Sequence, residues 1–129
     1  MKDFIVWGPF GNKWGITLEY DRAIKKNPND AAAFYNRGTI RASRGNSEKA
    51  IADFTQVIRI NPTDASAFPS TVGAYLQRGR LYHRLGDKQK ALADYHKAAE
   101  ICKQQKDNFC YERTLDDIKR LQQSSPSTP

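Results

Sequence analysis

Residues 31–64 read AAAFYNRGTIRASRGNSEKAIADFTQVIRINPTD, and residues 72–105 read VGAYLQRGRLYHRLGDKQKALADYHKAAEICKQQ. Laid over each other at an offset of 41, Arg37-Gly38 meets Arg78-Gly79 and Gly45 meets Gly86. Lys49-Ala50 meets Lys90-Ala91, and Ala52-Asp53-Phe54 meets Ala93-Asp94-Tyr95. A partial copy lies 34 residues upstream of the first, where Gly11 meets Gly45, Tyr20 meets Phe54, Ile24 meets Ile58 and Asn27-Pro28 meets Asn61-Pro62. The period is therefore 34, and the offset of 41 contains a seven-residue insertion at 65–71. Repetition at this period marks a stack of supersecondary units, each able to bury its apolar face only against a neighbour.

Each unit reads as two helices. Asp30 is a suitable N-cap for residues 31–44, and Gly45 suits the left-handed position that ends them. Ala50, Ile51, Phe54, Val57 and Ile58 recur at helical spacing over residues 47–60, forming one apolar stripe. Asn61-Pro62 ends that stripe, because a residue before proline is pushed out of the α region. Ser47 and Asp87 are N-cap candidates after the two glycine turns. Gly38 and Gly79 sit mid-helix, where glycine costs up to about 1 kcal/mol, so their recurrence at equivalent places points to close helix packing. The pattern predicts six helices, near 14–26, 31–44, 47–60, 70–85, 88–105 and 107–122.

Composition limits what such a stack can be. The chain has 129 residues, 39% of them hydrophobic, with 21 Lys+Arg against 14 Asp+Glu. That suffices for one domain with a core. No apolar run approaches the roughly 20 residues that span a bilayer. The apolar stretch Phe4–Trp7 is too short for a signal peptide and runs into Gly8-Pro9, so a cytoplasmic location is expected. Cys102 and Cys110 are too few for a disulfide scaffold or a four-ligand zinc site, and read as small buried apolar residues rather than a redox pair. His83 and His96 have no ligand-spaced carboxylate or cysteine around them. There is no Gly-rich phosphate loop, nucleophile elbow or HExxH motif. Hence no catalytic residue, metal or cofactor is expected, and the protein is read as a non-enzyme.

These repeats resemble the tetratricopeptide repeat (TPR) family. Gly38, Ala50, Phe54 and Pro62 carry the likeness in residues 31–64, and Tyr75, Gly79, Tyr82, Gly86, Ala91, Tyr95 and Ala98 carry it in residues 72–105. Gly11, Ile16, Tyr20, Ala23 and Pro28 give a half repeat over 11–30 that keeps only the second helix. Lys103 replaces the terminal proline of the second full copy. The resemblance implies an all-α fold, a right-handed α-solenoid of antiparallel helix pairs, closed by a C-terminal capping helix at 107–122. Residues 1–122 then form a single domain and 123–129 a disordered tail. In the capping helix, Leu115, Ile118 and Leu121 are expected to face inward.

The resemblance also implies a function. TPR modules bind a peptide or partner helix in a concave groove lined by the first helix of each pair, acting as scaffolds or assembly adaptors. Transferred here, the groove takes Ala32, Tyr35, Thr39, Ala42 and Ser43 from the first full copy. The second gives Gly73, Leu76, Arg80, His83 and Arg84, and the capping helix gives Asp107, Cys110, Thr114, Asp117 and Ile118. Arg80 and Arg84 suit a partner with acidic or carboxylate groups. The family's clamp for chaperone C-termini is not matched: Asn36 occupies one of its positions, but Gly73 and Gln77 stand where a basic pair belongs.

Three readings stay open beside this one. Residues 65–71 form either a longer loop or a protruding helix. Phe4, Ile5, Val6, Trp7 and Phe10 either fold back over the half repeat or form a self-association surface, making the protein a homodimer or a structural subunit of a larger complex. The third is nucleic-acid binding. The net charge of +7 is uneven, with residues 65–105 holding 7 basic against 3 acidic side chains. No Lys/Arg run and no RNA-binding motif accompany it, so nucleic acid ranks below protein as a partner.

Overall fold

The computed structural model describes residues 15–63 and 71–124, and among these every regular element is a helix. The order is α1 (Gly15–Lys26), α2 (Ala31–Ser43), α3 (Ser47–Ile60), α4 (Thr71–Arg84), α5 (Lys88–Gln104) and α6 (Asn108–Gln123). Helices α2 and α3 form one antiparallel pair and α4 and α5 the next. The pairs stack as a right-handed solenoid, with α1 before them and α6 closing the far end. The self-association residues Phe4, Ile5, Val6, Trp7 and Phe10 lie outside the described residues, as do 65–70 of the insertion.

Local chemistry sets the helix ends. The backbone N–H groups of Ala33, Lys90 and Cys110 donate to the carboxylates of Asp30, Asp87 and Asp107 at 3.0, 3.1 and 3.1 Å, each satisfying an orphan donor. Asn46, not Ser47, precedes α3, without a side-chain cap bond, and Ser47 is a buried helical residue. Gly45 and Gly86 turn the chain at φ +80° and +89°, a conformation glycine adopts without a Cβ penalty. Lys106 takes the same left-handed role at φ 59° between α5 and α6. With no proline at position 103, α5 runs 17 residues, three more than α3.

The apolar stripes meet between layers. Phe34, Ala50, Phe54, Val57, Ala74 and Leu81 form one cluster, with Ile24 of α1 packed against it. Val72, Tyr75, Ala98, Ile101 and Cys102 form the next. Ile118 and Leu121 of α6 join Ala91, Tyr95 and Ala99 in a third. The two mid-helix glycines sit at closest approach. A Cβ on Gly38 would lie 3.0 Å from Asp53 Cβ, and one on Gly79 would lie 2.7 Å from Tyr95 Cε1.

Asp53 and Asp94 pair across helices, not with neighbours on their own helix. Arg37 of α2 donates to both carboxylate oxygens of Asp53 through Nε and Nη2 at 3.1 and 2.9 Å, and Arg41 adds a third bond at 3.1 Å. Arg78 of α4 grips Asp94 of α5 in the same fork at 2.8 and 2.7 Å. The remaining nitrogen of each arginine reaches back to the preceding unit. Arg37 Nη1 meets Asp21 of α1 at 2.8 Å, and Arg78 Nη1 donates to Thr55 Oγ1 of α3 at 3.0 Å. Bonds to Asp53 and Asp94 push Arg37 and Arg78 above their usual pKa, against the opposing effect of burial.

Cys102 and Cys110 are joined as a disulfide across the α5–α6 turn, their Cα atoms 5.8 Å apart. This corrects the reading of two unlinked buried residues: the turn at Lys106 folds the eight-residue separation back on itself. At the other end, α6 runs through Gln123, and the Ser124 carbonyl accepts from Lys88 Nζ at 3.2 Å. Residues 123 and 124 therefore belong to the folded part and not to a tail. No helix among the described residues is long and apolar enough to cross a membrane.

Two stability outcomes follow from these contacts. Asp94→Ala leaves the Arg78 guanidinium without its carboxylate, and urea unfolding should show a loss of about 3 kcal/mol. Replacing both at once, with Arg78→Met and Asp94→Leu, should recover most of that, because no unpaired charge remains. For the disulfide, closing so short a loop stabilises by about 2.5 kcal/mol in the chain-entropy account. Melting with and without reductant should separate accordingly, and complete thiol alkylation without reductant would show the bond to be absent.

Candidate functional site

The groove residues expected from the sequence divide between two places. On α2, Tyr35 is half-buried. Its ring meets Phe54 edge-on at a centroid distance of 5.4 Å, and its hydroxyl lies 2.8 Å from where a Cβ on Gly73 would sit. Tyr35 thus packs α2 against α3 and α4. Thr39 is exposed and its hydroxyl donates to the Tyr35 carbonyl at 3.0 Å. Asn36 is half-buried on the same helix.

On α4, by contrast, Leu76, Arg80 and His83 border a cleft against α6. One cavity of about 220 Å³ lies between Leu76 and Arg80 on one side and Phe109, Cys110, Arg113 and Thr114 on the other. A second, of about 330 Å³, lies between Arg80 and His83 on α4 and Arg120 and Leu121 on α6, with Tyr95 of α5 also lining it. Arg80 and Asp117 border both, so the two are adjoining parts of one cleft. Tyr35, Asn36 and Thr39 border neither, and Arg84 stands exposed in the last turn of α4 outside both.

The electrostatics of the cleft centre on arginine. Asp117 is engaged by Arg120 at 3.0 Å. Arg80, Arg84 and Arg113 have no hydrogen bond or ion pair among the described residues, in contrast to the paired Arg37 and Arg78. Burial pushes the Tyr95 phenol above its ordinary pKa, opposed by the nearby Arg80 charge. Tyr95 is thus a neutral hydroxyl at neutral pH, one side of the cavity. No group of three or more His, Cys, Asp or Glu among the described residues is arranged to hold a metal ion.

Of the positions transferred to α6 by repeat phase, Cys110, Thr114 and Asp117 border the cleft, as do the neighbouring Phe109 and Arg113, which the transfer passed over. Phe109 is 76% exposed and Arg113 follows it one helical turn later. Both lie one residue off the transferred positions. Their signal was the i, i+4 spacing of Phe109 and Arg113 on the outer edge of α6. Leu121, expected to face inward, and Tyr95 are core residues that also border the cleft.

Known proteins resemble this chain in sequence and in fold. Tetratricopeptide repeat family models match residues 31–64 and 72–105, together just over half of the chain. The photosystem I assembly protein Ycf3 of Rippkaea orientalis is 37% identical over 82 residues, covering 63% of this chain and 47% of that protein. The tetratricopeptide repeat and J domain-containing co-chaperone DNJ1 of Fusarium oxysporum is 32% identical over 84 residues, covering 65% of this chain and 15% of that protein. The chain thus spans less than half the length of these relatives. In structure, it resembles PcrH, solved in complex with the chaperone binding region of PopD. The TM-score is 0.71 at 15% identity, over 82% of this chain and 75% of that one. With its repeat models, helix pairs and stacking in agreement, the chain belongs to the tetratricopeptide repeat family.

Proposed function

We infer that this protein is a non-enzymatic interaction module that holds a peptide or partner helix of another protein in the groove formed by its first helices, serving as a scaffold or assembly adaptor. The observation that carries this reading is Arg80, a cation without a counter-ion among the described residues, at the junction of the two cavities. A guanidinium so placed is a ready partner for a carboxylate, which it meets through two parallel N–H bonds. His83 and Arg84 add positive character on the same helix, and Leu76 supplies apolar surface. On α2, Tyr35, Asn36 and Thr39 extend the groove towards the first repeat. The relatives support the class of partner: a photosystem assembly protein, a co-chaperone, and a fold relative seen holding a segment of another protein.

The arginine usage favours protein over nucleic acid. Arg37 and Arg78 are consumed inside the stack, which leaves the exposed cations interspersed with acids such as Glu48 and Glu100. Reversing charge with Arg80→Glu and Arg84→Glu should abolish the retention of partner proteins in affinity capture. The melting temperature should stay within a few degrees, since both side chains are exposed. Partners retained at the wild-type level by the folded variant would place the binding site elsewhere.

A further inference from the structure

The two ends of the cleft between α4 and α6 differ in chemistry, and the difference specifies what the groove selects; this rests on the groove reading above. Residue numbers climb together along both walls, from Leu76 and Phe109 at one end to His83 and Leu121 at the other. The two helices therefore run in the same direction along the cleft, and the cavities follow one another along it.

The first cavity is about 220 Å³. An apolar cavity of roughly 150 Å³ already accommodates benzene, whereas small-molecule sites run upward from about 300 Å³. Its size thus suits one large side chain rather than a metabolite. Beside Arg80, Arg113 and Asp117, its walls include Leu76 and the 76% exposed Phe109, the most exposed large apolar side chain among the described residues, and neither apolar group borders the second cavity. Covering Phe109 removes apolar surface from water, which is favourable in proportion to area. The second cavity offers Arg80 and His83, and its single acid among the described residues, Asp117, is already held by Arg120 at 3.0 Å. Among the described residues, that end has no anion left for Arg80.

The spacing between the ends is set by α4. Arg80 and His83 lie four and seven residues beyond Leu76, a rise of about 6 to 10 Å along the helix at 1.5 Å per residue. An extended chain covers about 3.3 Å per residue, so the same distance is two or three residues of peptide. We propose that the cleft selects an extended peptide with one large apolar side chain seated between Leu76 and Phe109 and, two or three residues away, an Asp or Glu whose carboxylate pairs with Arg80.

The test is selection from a displayed library of random dodecapeptides on the immobilised full chain, run in parallel on Phe109→Ala and Arg80→Gln. Both sites are exposed, and circular dichroism melting confirms that the variants fold. The wild type should enrich peptides with an apolar residue and an acid at the stated spacing. Phe109→Ala should lose the apolar preference and keep the acidic one, and Arg80→Gln should do the reverse. A synthetic selected peptide should bind each variant at least tenfold more weakly than the wild type. Enriched peptides with no fixed spacing, or with preferences that neither variant changes, overturn the two-site proposal and leave the groove reading intact. If the wild type enriches no peptide above background, both fail.

Discussion

The forked hydrogen bond between one arginine and one aspartate is the constraint on which each helix pair depends. It lies inside the pair, beside the glycine where the two helices approach most closely. Removing the carboxylate from water is costly, and the cost is met only because both oxygens are bonded in good geometry. That requirement fixes the rotation of α2 against α3 and of α4 against α5, which burial of apolar stripes alone leaves loose. The same guanidinium then spends its third nitrogen on the unit before it. A single residue thus joins two helices into a pair and one pair to the next.

This arrangement explains the division of labour among the arginines. Those inside the stack are neutralised and contribute order. Arg80 and Arg84 on α4 have no ion pair among the described residues and stay exposed. Formal net charge mixes the two populations, which is why the excess over residues 65–105 read first as a hint of nucleic acid. Sorted by geometry, part of that excess is internal, and Arg80 stands in a cleft where Arg113, Arg120 and His83 lie among apolar and hydroxyl groups and the carboxylate of Asp117.

The helices were legible from spacing, because periodicity, aspartate caps and left-handed glycines act over a few residues. The family was legible from repetition, which needs no knowledge of contacts. What sequence did not show were pairings set by three-dimensional phase. The repeated Asp53 and Asp94 were visible as a pattern, and so were Arg37 and Arg78, but not that each aspartate meets the arginine 16 residues before it. Phe109 and Arg113 were missed for a related reason. The groove was transferred in the register of a repeat's first helix, and α6 presents the neighbouring edge as well. Cys102 and Cys110 were missed because a lysine, not a glycine, makes the turn that brings them together.

The backward reach of the arginines gives the stack a direction. Asp21 and Thr55 receive it on α1 and α3, and in the same register His96 is the receiving position on α5. The residue that should reach it, in the place of Arg37 and Arg78, is Glu112 on α6. The relay of guanidinium links therefore ends at α5. The last helix is fastened by other means: apolar contacts of Ile118 and Leu121, the Lys88 bond to Ser124, and the covalent bridge at its first turn. Since α6 forms one wall of the cleft, that wall is also the segment of the solenoid whose attachment includes a bond that a reductant can open.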